Sequence, residues 1–142
     1  MQHPVWTCEH TTETLASPDT IWTIFTEVAT WPRWNAGVER IDMSEPFETG
    51  ATFTMTVPGQ PPLTTQLIDV RERSHFVDQT VLGDLSIIVT HTILPVAEGR
   101  TKIAYALRAQ GPGCDEIGPA ISSDFPEVLA ALKTFAEAKQ QS

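Results

Sequence analysis

An α+β fold, one large antiparallel sheet covered by a C-terminal helix, is predicted by three features of this 142-residue sequence. A capped-helix signal, Ser17-Pro18-Asp19-Thr20-Ile21-Trp22, stands close to the start. A series of strand-like segments with short turns follows from Val38 onward. Near the end, Ile117, Ile121, Phe125, Val128, Leu129, Leu132 and Phe135 recur every three or four residues, the period of an amphipathic helix. Trp22, Trp31 and Trp34 fall close together ahead of the strands, a density of large apolar groups suited to an interior.

Residues 5 to 15 alternate in character. Val5, Thr7, Glu9, Thr11 and Glu13 form one parity, which the glutamates assign to solvent. Trp6, Cys8, His10, Thr12 and Thr14 then point inward. Ser17 is a good N-cap, Pro18 suits the first helical position, and Asp19 complements the helix dipole. Ile21, Trp22, Phe25 and Val28 continue that helix over 18 to 28, and Trp31-Pro32 begins a second short helical turn ending near Asn35-Ala36-Gly37. Strands follow at Val38 to Met43, Ala51 to Val57, Leu63 to Arg71, His75 to Val81, Leu85 to Leu94 and Lys102 to Ala109. Turn residues separate them and no helical pattern intervenes, so the predicted arrangement is an antiparallel meander. After Gly111-Pro112-Gly113 comes the long apolar-striped helix, which Pro126 either bends or divides. No repeat or linker interrupts the chain, and one domain over residues 1 to 142 is expected.

Composition sets limits on function. The chain is 41% hydrophobic and 19% charged, as in a globular protein, with a net charge of −9. Such acidity gives no attraction for a phosphate backbone or an anionic membrane surface. No apolar run reaches the roughly 18 residues of a membrane span, and residues 1 to 15 do not read as a secretory leader. The two cysteines, Cys8 and Cys114, read as reduced thiols. A cytoplasmic protein without nucleic-acid partners or membrane insertion is expected, and a homodimer is left open. Four histidines and two cysteines are scattered without metal-ligand spacing, so no metal is expected. His3, near the terminus, is expected to play no part. Gly111-Pro112-Gly113 lacks the lysine of a phosphate loop, and nothing calls for another cofactor.

The pattern Ala16-Ser17-Pro18…Ile21-Trp22…Trp31-Pro32-Arg33-Trp34-Asn35, then His91-Thr92-Ile93…Gly99-Arg100-Thr101, resembles the START-related (SRPBCC) superfamily. Its polyketide cyclase/dehydrase branch is the most similar, and Ile117-Gly118-Pro119-Ala120…Phe125-Pro126-Glu127-Val128-Leu129-Ala130-Ala131-Leu132-Lys133 resembles the last helix of that branch. The resemblance covers nearly the whole chain and its motifs are structural. It implies a helix-grip fold, a seven-stranded curved sheet around the long C-terminal helix, with a cavity between. It also implies a lipid- or polyketide-like hydrophobic ligand. Some relatives are enzymes and others interact with proteins, and no universal catalytic residue transfers.

A curved sheet covered by one helix makes close contact at the crossing and can leave a gap elsewhere, which is where apolar ligands bind. Candidate ligand-binding residues follow from parity. His91 shares the inward phase of Leu85, Ile87, Val89 and Ile93, and is read as a polar anchor or proton-transfer group, or else as a histidine satisfied by a neighbour. His10, with Thr12 and Thr14, makes the inward face of its strand polar, which requires a wet pocket, a ligand or an end open to solvent. Tyr105 alternates in phase with Ile103 and Leu107 and needs a hydroxyl partner. Trp34, Phe53 and Met55 are read as apolar lining or as core packing. Phe76, on the inward parity of its strand, and Leu129, on the helix stripe, complete the set. Asp78 shares the parity of Phe76 and is read either as inward-facing or, in preference, as lying on a solvated strand edge. A hydrophobic-ligand binder is the leading expectation. A cofactor-independent cyclase or dehydratase working through His91, His10 or Tyr105, and a protein-interaction module of the same fold, are the alternatives.

Overall fold

A computed structural model describes residues 4–141; His3 lies outside the described residues. The elements are β1 (Val5–Thr14), α1 (Pro18–Thr26), a 3-10 helix (Val28–Arg33), β2 (Arg40–Asp42), β3 (Thr52–Thr56), β4 (Leu63–Arg71), β5 (His75–Leu82), β6 (Leu85–Ala97), β7 (Arg100–Gln110), α2 (Cys114–Ser122) and α3 (Phe125–Gln141). The strands form one seven-stranded sheet in the order β1-β7-β6-β5-β4-β3-β2, every pair antiparallel. The first and second strands of the sequence are thus its two edges. This is the predicted α+β helix-grip architecture.

Two helical expectations change in detail. The Ser17 hydroxyl accepts the Thr20 N–H at 3.2 Å with Pro18 in the first turn, as predicted. However, α1 stops at Thr26 because Glu27 leaves the helical region, at φ −88° and ψ 69°. The next turn starts at Val28 and not at Trp31. The Trp31 indole N–H donates to the Phe25 carbonyl at 3.1 Å, satisfying an acceptor that the end of α1 leaves open. At the C-terminus Pro126 divides the helix. Ser123 and Asp124 separate α2 from α3, and Pro126 occupies the first turn of α3, where its missing N–H costs nothing. Two glycines are sterically required in this half: a Cβ at Gly118 would run into the Trp6 indole, and one at Gly111 (φ +120°) into the Asp84 carbonyl.

Register places side chains in rows across the inner face. One row runs His10, Tyr105, His91, Phe76 and Val70; the next runs Cys8, Leu107, Val89, Asp78 and Leu67. The cover comes from Ile21, Ile24 and Phe25 of α1, Trp31 of the 3-10 helix, and Val128, Leu129, Leu132 and Ala136 of α3, all buried. The backbone of α3 approaches closest to β1 and α1, and that of α2 to β7 and β1. Over the far half of the sheet large rings span the wider separation: Phe25 meets Phe76 at 5.0 Å, Trp31 meets Phe53 at 5.6 Å, and Phe47 meets Phe76 at 5.2 Å.

The end of α3 is fastened by polar groups. The Glu137 carboxylate accepts the Thr14 hydroxyl at 2.8 Å and the Leu15 N–H at 3.0 Å. Gln140 donates to the Leu15 carbonyl at 3.0 Å, and the Thr101 hydroxyl donates to the Ala16 carbonyl at 2.8 Å. Thr14 is therefore satisfied by α3, and not by a pocket or by solvent. Among the described residues, no helix is long and apolar enough to cross a membrane.

Candidate functional site

His91 lies mid-sheet and is 8% exposed. Its Nδ1 is 3.2 Å from the Phe76 carbonyl oxygen. A carbonyl can only accept, so Nδ1 carries the proton and Nε2 is left as an acceptor. That Nε2 faces the Asp78 carboxyl at 3.9 Å. The imidazole stacks on Phe76 with centroids 3.9 Å apart and 9° between planes, and Tyr105 meets it edge-on at 4.6 Å. Phe25 of α1 closes the ring wall at 6.1 Å. Burial pulls the His91 imidazole down to about 3, despite its bond to the Phe76 carbonyl, so the ring is neutral near neutral pH.

Asp78 corrects the sequence reading. It is not on a solvated edge: its strand, β5, lies between β4 and β6, and its side chain points inward with 14% exposure. Burial pushes its carboxyl up to about 7. Burial, then the Asp78 charge, also raises the Tyr105 phenol. Among the described residues Asp78 has no Lys or Arg partner, and the Tyr105 hydroxyl makes no hydrogen bond. The indole N–H of Trp34 is buried without any partner. Elsewhere buried polar side chains are paired, as in the Thr65–Thr80 hydroxyl contact at 2.8 Å and the Ser122 bond to the Gly118 carbonyl at 2.9 Å.

The other predicted residues divide into groups. His10, Tyr105, His91 and Phe76 share one row, and Phe125 of α3 covers its near end, 6.2 Å from His10 and 5.5 Å from Tyr105. Trp34 belongs to the adjoining ring cluster, 6.4 Å from Phe25 and 6.2 Å from Trp31, and Phe53 joins it through Trp31. Met55 is half-buried on the inner face of β3, and Leu129 is buried on α3. The gap predicted between sheet and helix is largely taken up by these rings. What stays open on the inner face is accessible surface at Cys8, Met55, Asp78 and Val89, half-buried although they point inward. Two surface hollows lie apart from this row. One of about 490 Å³ is on the outer face of β1, β7 and β6, beside Thr7, Glu9, Thr90 and Arg108. The other, about 280 Å³, is between α1 and the end of α3, beside Thr23 and Gln140.

Sequence reasoning missed Asp78, Phe25, Phe47 and Phe125. The parity of Asp78 with Phe76 was the available signal, and Phe25 and Phe125 lay on predicted helix stripes. Nothing in sequence marked Phe47, in the loop before β3. Cys8 and Cys114 are free thiols. Among the described residues no three His, Cys, Asp or Glu side chains converge as metal ligands.

Comparisons with known proteins agree with this architecture. Residues 5–137 match the family described as polyketide cyclase/dehydrase and lipid transport. A norcoclaurine synthase point mutant from Thalictrum flavum, bound to a transition-state analogue, superposes with a TM-score of 0.79 at 18% identity, covering 100% of this chain and 99% of that one. The same plant's norcoclaurine synthase in complex with dopamine and hydroxybenzaldehyde gives 0.77 at 18% identity over 96% and 89%. Ara h 8.0201 gives 0.74 at 13% identity over 95% and 99%. These identities establish a shared fold. No curated protein matches the sequence.

Proposed function

This chain belongs to the polyketide cyclase/dehydrase and lipid transport family, and on that premise we propose that it binds a small hydrophobic ligand on the inner face of its sheet, against the row His10–Tyr105–His91–Phe76. The family is consistent with hydrophobic ligands. The observation that carries the reading is a set of polar groups without a hydrogen-bond partner from the chain, set among aromatic rings: the Asp78 carboxyl, the His91 Nε2 and the Tyr105 hydroxyl. Unlike the Trp34 N–H they keep some accessible surface, so a ligand or water can reach them and supply what the chain does not. Phe25, Phe76 and Phe125 supply apolar walls, with Met55 at the more open side and Leu129 in the helical cover. Trp34 and Phe53 support the ring cluster behind them. The reading includes one binding domain over residues 1 to 142, cytoplasmic residence and no nucleic-acid partner, in keeping with the acidity of the chain.

Naphthol tests this reading. Its binding should quench tryptophan fluorescence, and His91→Ala should keep the fold, seen by circular dichroism, while weakening naphthol about tenfold. Unchanged affinity in that variant would remove His91 from the site. Native mass spectrometry of freshly purified protein checks the reading independently, through a co-purifying small molecule.

A second reading, a cofactor-independent cyclase or dehydratase, is favoured by one observation. Asp78 and His91 face each other at 3.9 Å with carboxyl and imidazole shifted in opposite directions, to about 7 and about 3. Asp78 can then give a proton near neutral pH while the neutral His91 accepts one. Conversion of a bound ligand that is lost in Asp78→Asn would distinguish catalyst from carrier.

A further inference from the structure

We propose that the ligand of this site carries a protonated amine, with the Asp78 carboxylate as its counter-ion and the His91 Nε2 as its second acceptor. This rests on the inner-face binding reading and narrows it to hydrophobic amines. The Phe76 carbonyl, 3.2 Å away, holds the proton of His91 on Nδ1. Once Asp78 is ionised, two acceptors, Nε2 and the Asp78 oxygen, face each other at 3.9 Å with no protein donor between them. Such a pair calls for a donor. A ligand hydroxyl brings a single proton and satisfies one of the two; an ammonium brings three and a charge.

Charge selects further. An ionised Asp78 has no Lys or Arg partner among the described residues, so a bound cation removes the cost of an uncompensated buried charge. A net charge of −9 attracts cations to the protein and repels carboxylate ligands.

The pH response separates an amine from a neutral ligand. The titratable groups that share the inner face with Asp78 are His91 on β6, Tyr105 on β7, and Cys8 and His10 on β1. At the α2 and α3 end stand Cys114 and the half-buried Asp124, whose carboxyl burial also raises. The buried faces of α1, the 3-10 helix and α3 are wholly apolar. An amine binds the ionised carboxyl, so its affinity is level above the Asp78 pKa of about 7 and falls as pH drops through it. An alkylamine, like a lysine, stays protonated across that window.

The experiment is calorimetric titration of phenethylamine and its neutral counterpart phenylethanol between pH 5.5 and 8.5, with naphthol as reference. Expected at pH 8 is at least about tenfold tighter binding of phenethylamine than of phenylethanol. On acidification below pH 7 the amine should weaken by about tenfold per unit, while phenylethanol does not weaken. Asp78→Asn should bring phenethylamine down to the level of phenylethanol and abolish the pH response. Equal or tighter binding of phenylethanol at pH 8, or amine affinity that ignores pH, overturns the amine inference even if naphthol binds. Failure of all three probes overturns the inner-face reading together with it.

Discussion

Two regions of the inner face carry polar side chains, and they treat them in opposite ways. At the closed end, where β1 meets α3, Thr14, Thr101, Glu137 and Gln140 exchange hydrogen bonds of 2.8 to 3.0 Å with one another or with backbone groups. In the middle, Asp78, His91 and Tyr105 sit among aromatic rings with one 3.2 Å bond, from His91 to the Phe76 carbonyl, and one 3.9 Å approach, between His91 and Asp78. Both regions bring polar atoms to the covered face of the sheet, but only the first pairs them from within the chain. The closed end therefore adds to stability, while the middle spends stability on a surface suited to something outside the chain.

The variant with the largest expected effect removes the cover from both regions. Leu129 is 1% exposed on α3. An Asp there buries an unpaired charge, so Leu129→Asp should lose about 4 kcal/mol or more and fail to melt cooperatively. A near-normal melt would show that α3 does not seal the sheet as described.

Next in size, and opposite in sign, is Asp78→Val. If the middle is uncompensated, deleting its carboxyl at pH 8 should stabilise the protein by about 2 kcal/mol in urea unfolding; destabilisation would mean that Asp78 is already well served by the fold. The pH profile sharpens this. The folded Asp78 carboxyl stands near 7 against 3.8 as reference, so its contribution declines as pH rises from about 4 to 7. The folded His91 imidazole stands near 3 against 6.5, so its contribution declines as pH falls from 6.5 toward 3. Between about 4 and 6.5 these slopes, each up to about 1.4 kcal/mol per unit, oppose each other. Asp78→Asn should leave the His91 slope exposed, with stability dropping on acidification relative to wild type. His91→Gln should show the reverse. Identical profiles for all three would dissolve the contrast.

A third variant tests the closed end by subtraction. Thr101→Val keeps shape but leaves the Ala16 carbonyl without its donor, and should cost about 1.5 kcal/mol. A stabilising result, as expected for Asp78→Val, would erase the distinction between the two regions.

The contrast also explains what the sequence could reveal. Period-two alternation placed Glu9 and Glu13 outward and hence His10, Tyr105, His91 and Phe76 inward, because a strand has only two faces. The cap at Ser17 was equally legible, being local chemistry, as was an interruption at Pro126, though not whether it bends or divides the helix. For Asp78 the pleat allowed the inward reading, but carboxylates are rarely buried, and only the assembled sheet shows its strand to be an interior one. The partner of Thr14 was hidden for a different reason: Glu137 lies 123 residues away, and no local pattern encodes that meeting. The empty-handed Trp34 N–H was invisible too, since the absence of a partner is a property of the assembled interior.

The smallest effect belongs to Glu137 itself, and its size is informative. The Leu15 N–H and then the Thr14 hydroxyl lower its carboxyl below the usual range, so its contribution is present above about pH 4.5 and is lost as pH falls through the folded value. The carboxylate stays largely in water, which screens the gain, so Glu137→Gln should cost only about 0.5 kcal/mol at pH 7. That difference should shrink in thermal melts as pH is lowered through the folded value, where the wild-type carboxyl takes up its proton as well. Thr14 loses little in the variant because an amide oxygen still accepts its hydroxyl proton at the same position. A large loss at pH 7 would mean that the end of α3 depends on the charge of Glu137. In that event acid would loosen the closed end, and the middle of the sheet would no longer be the only region whose stability is governed by a carboxyl proton.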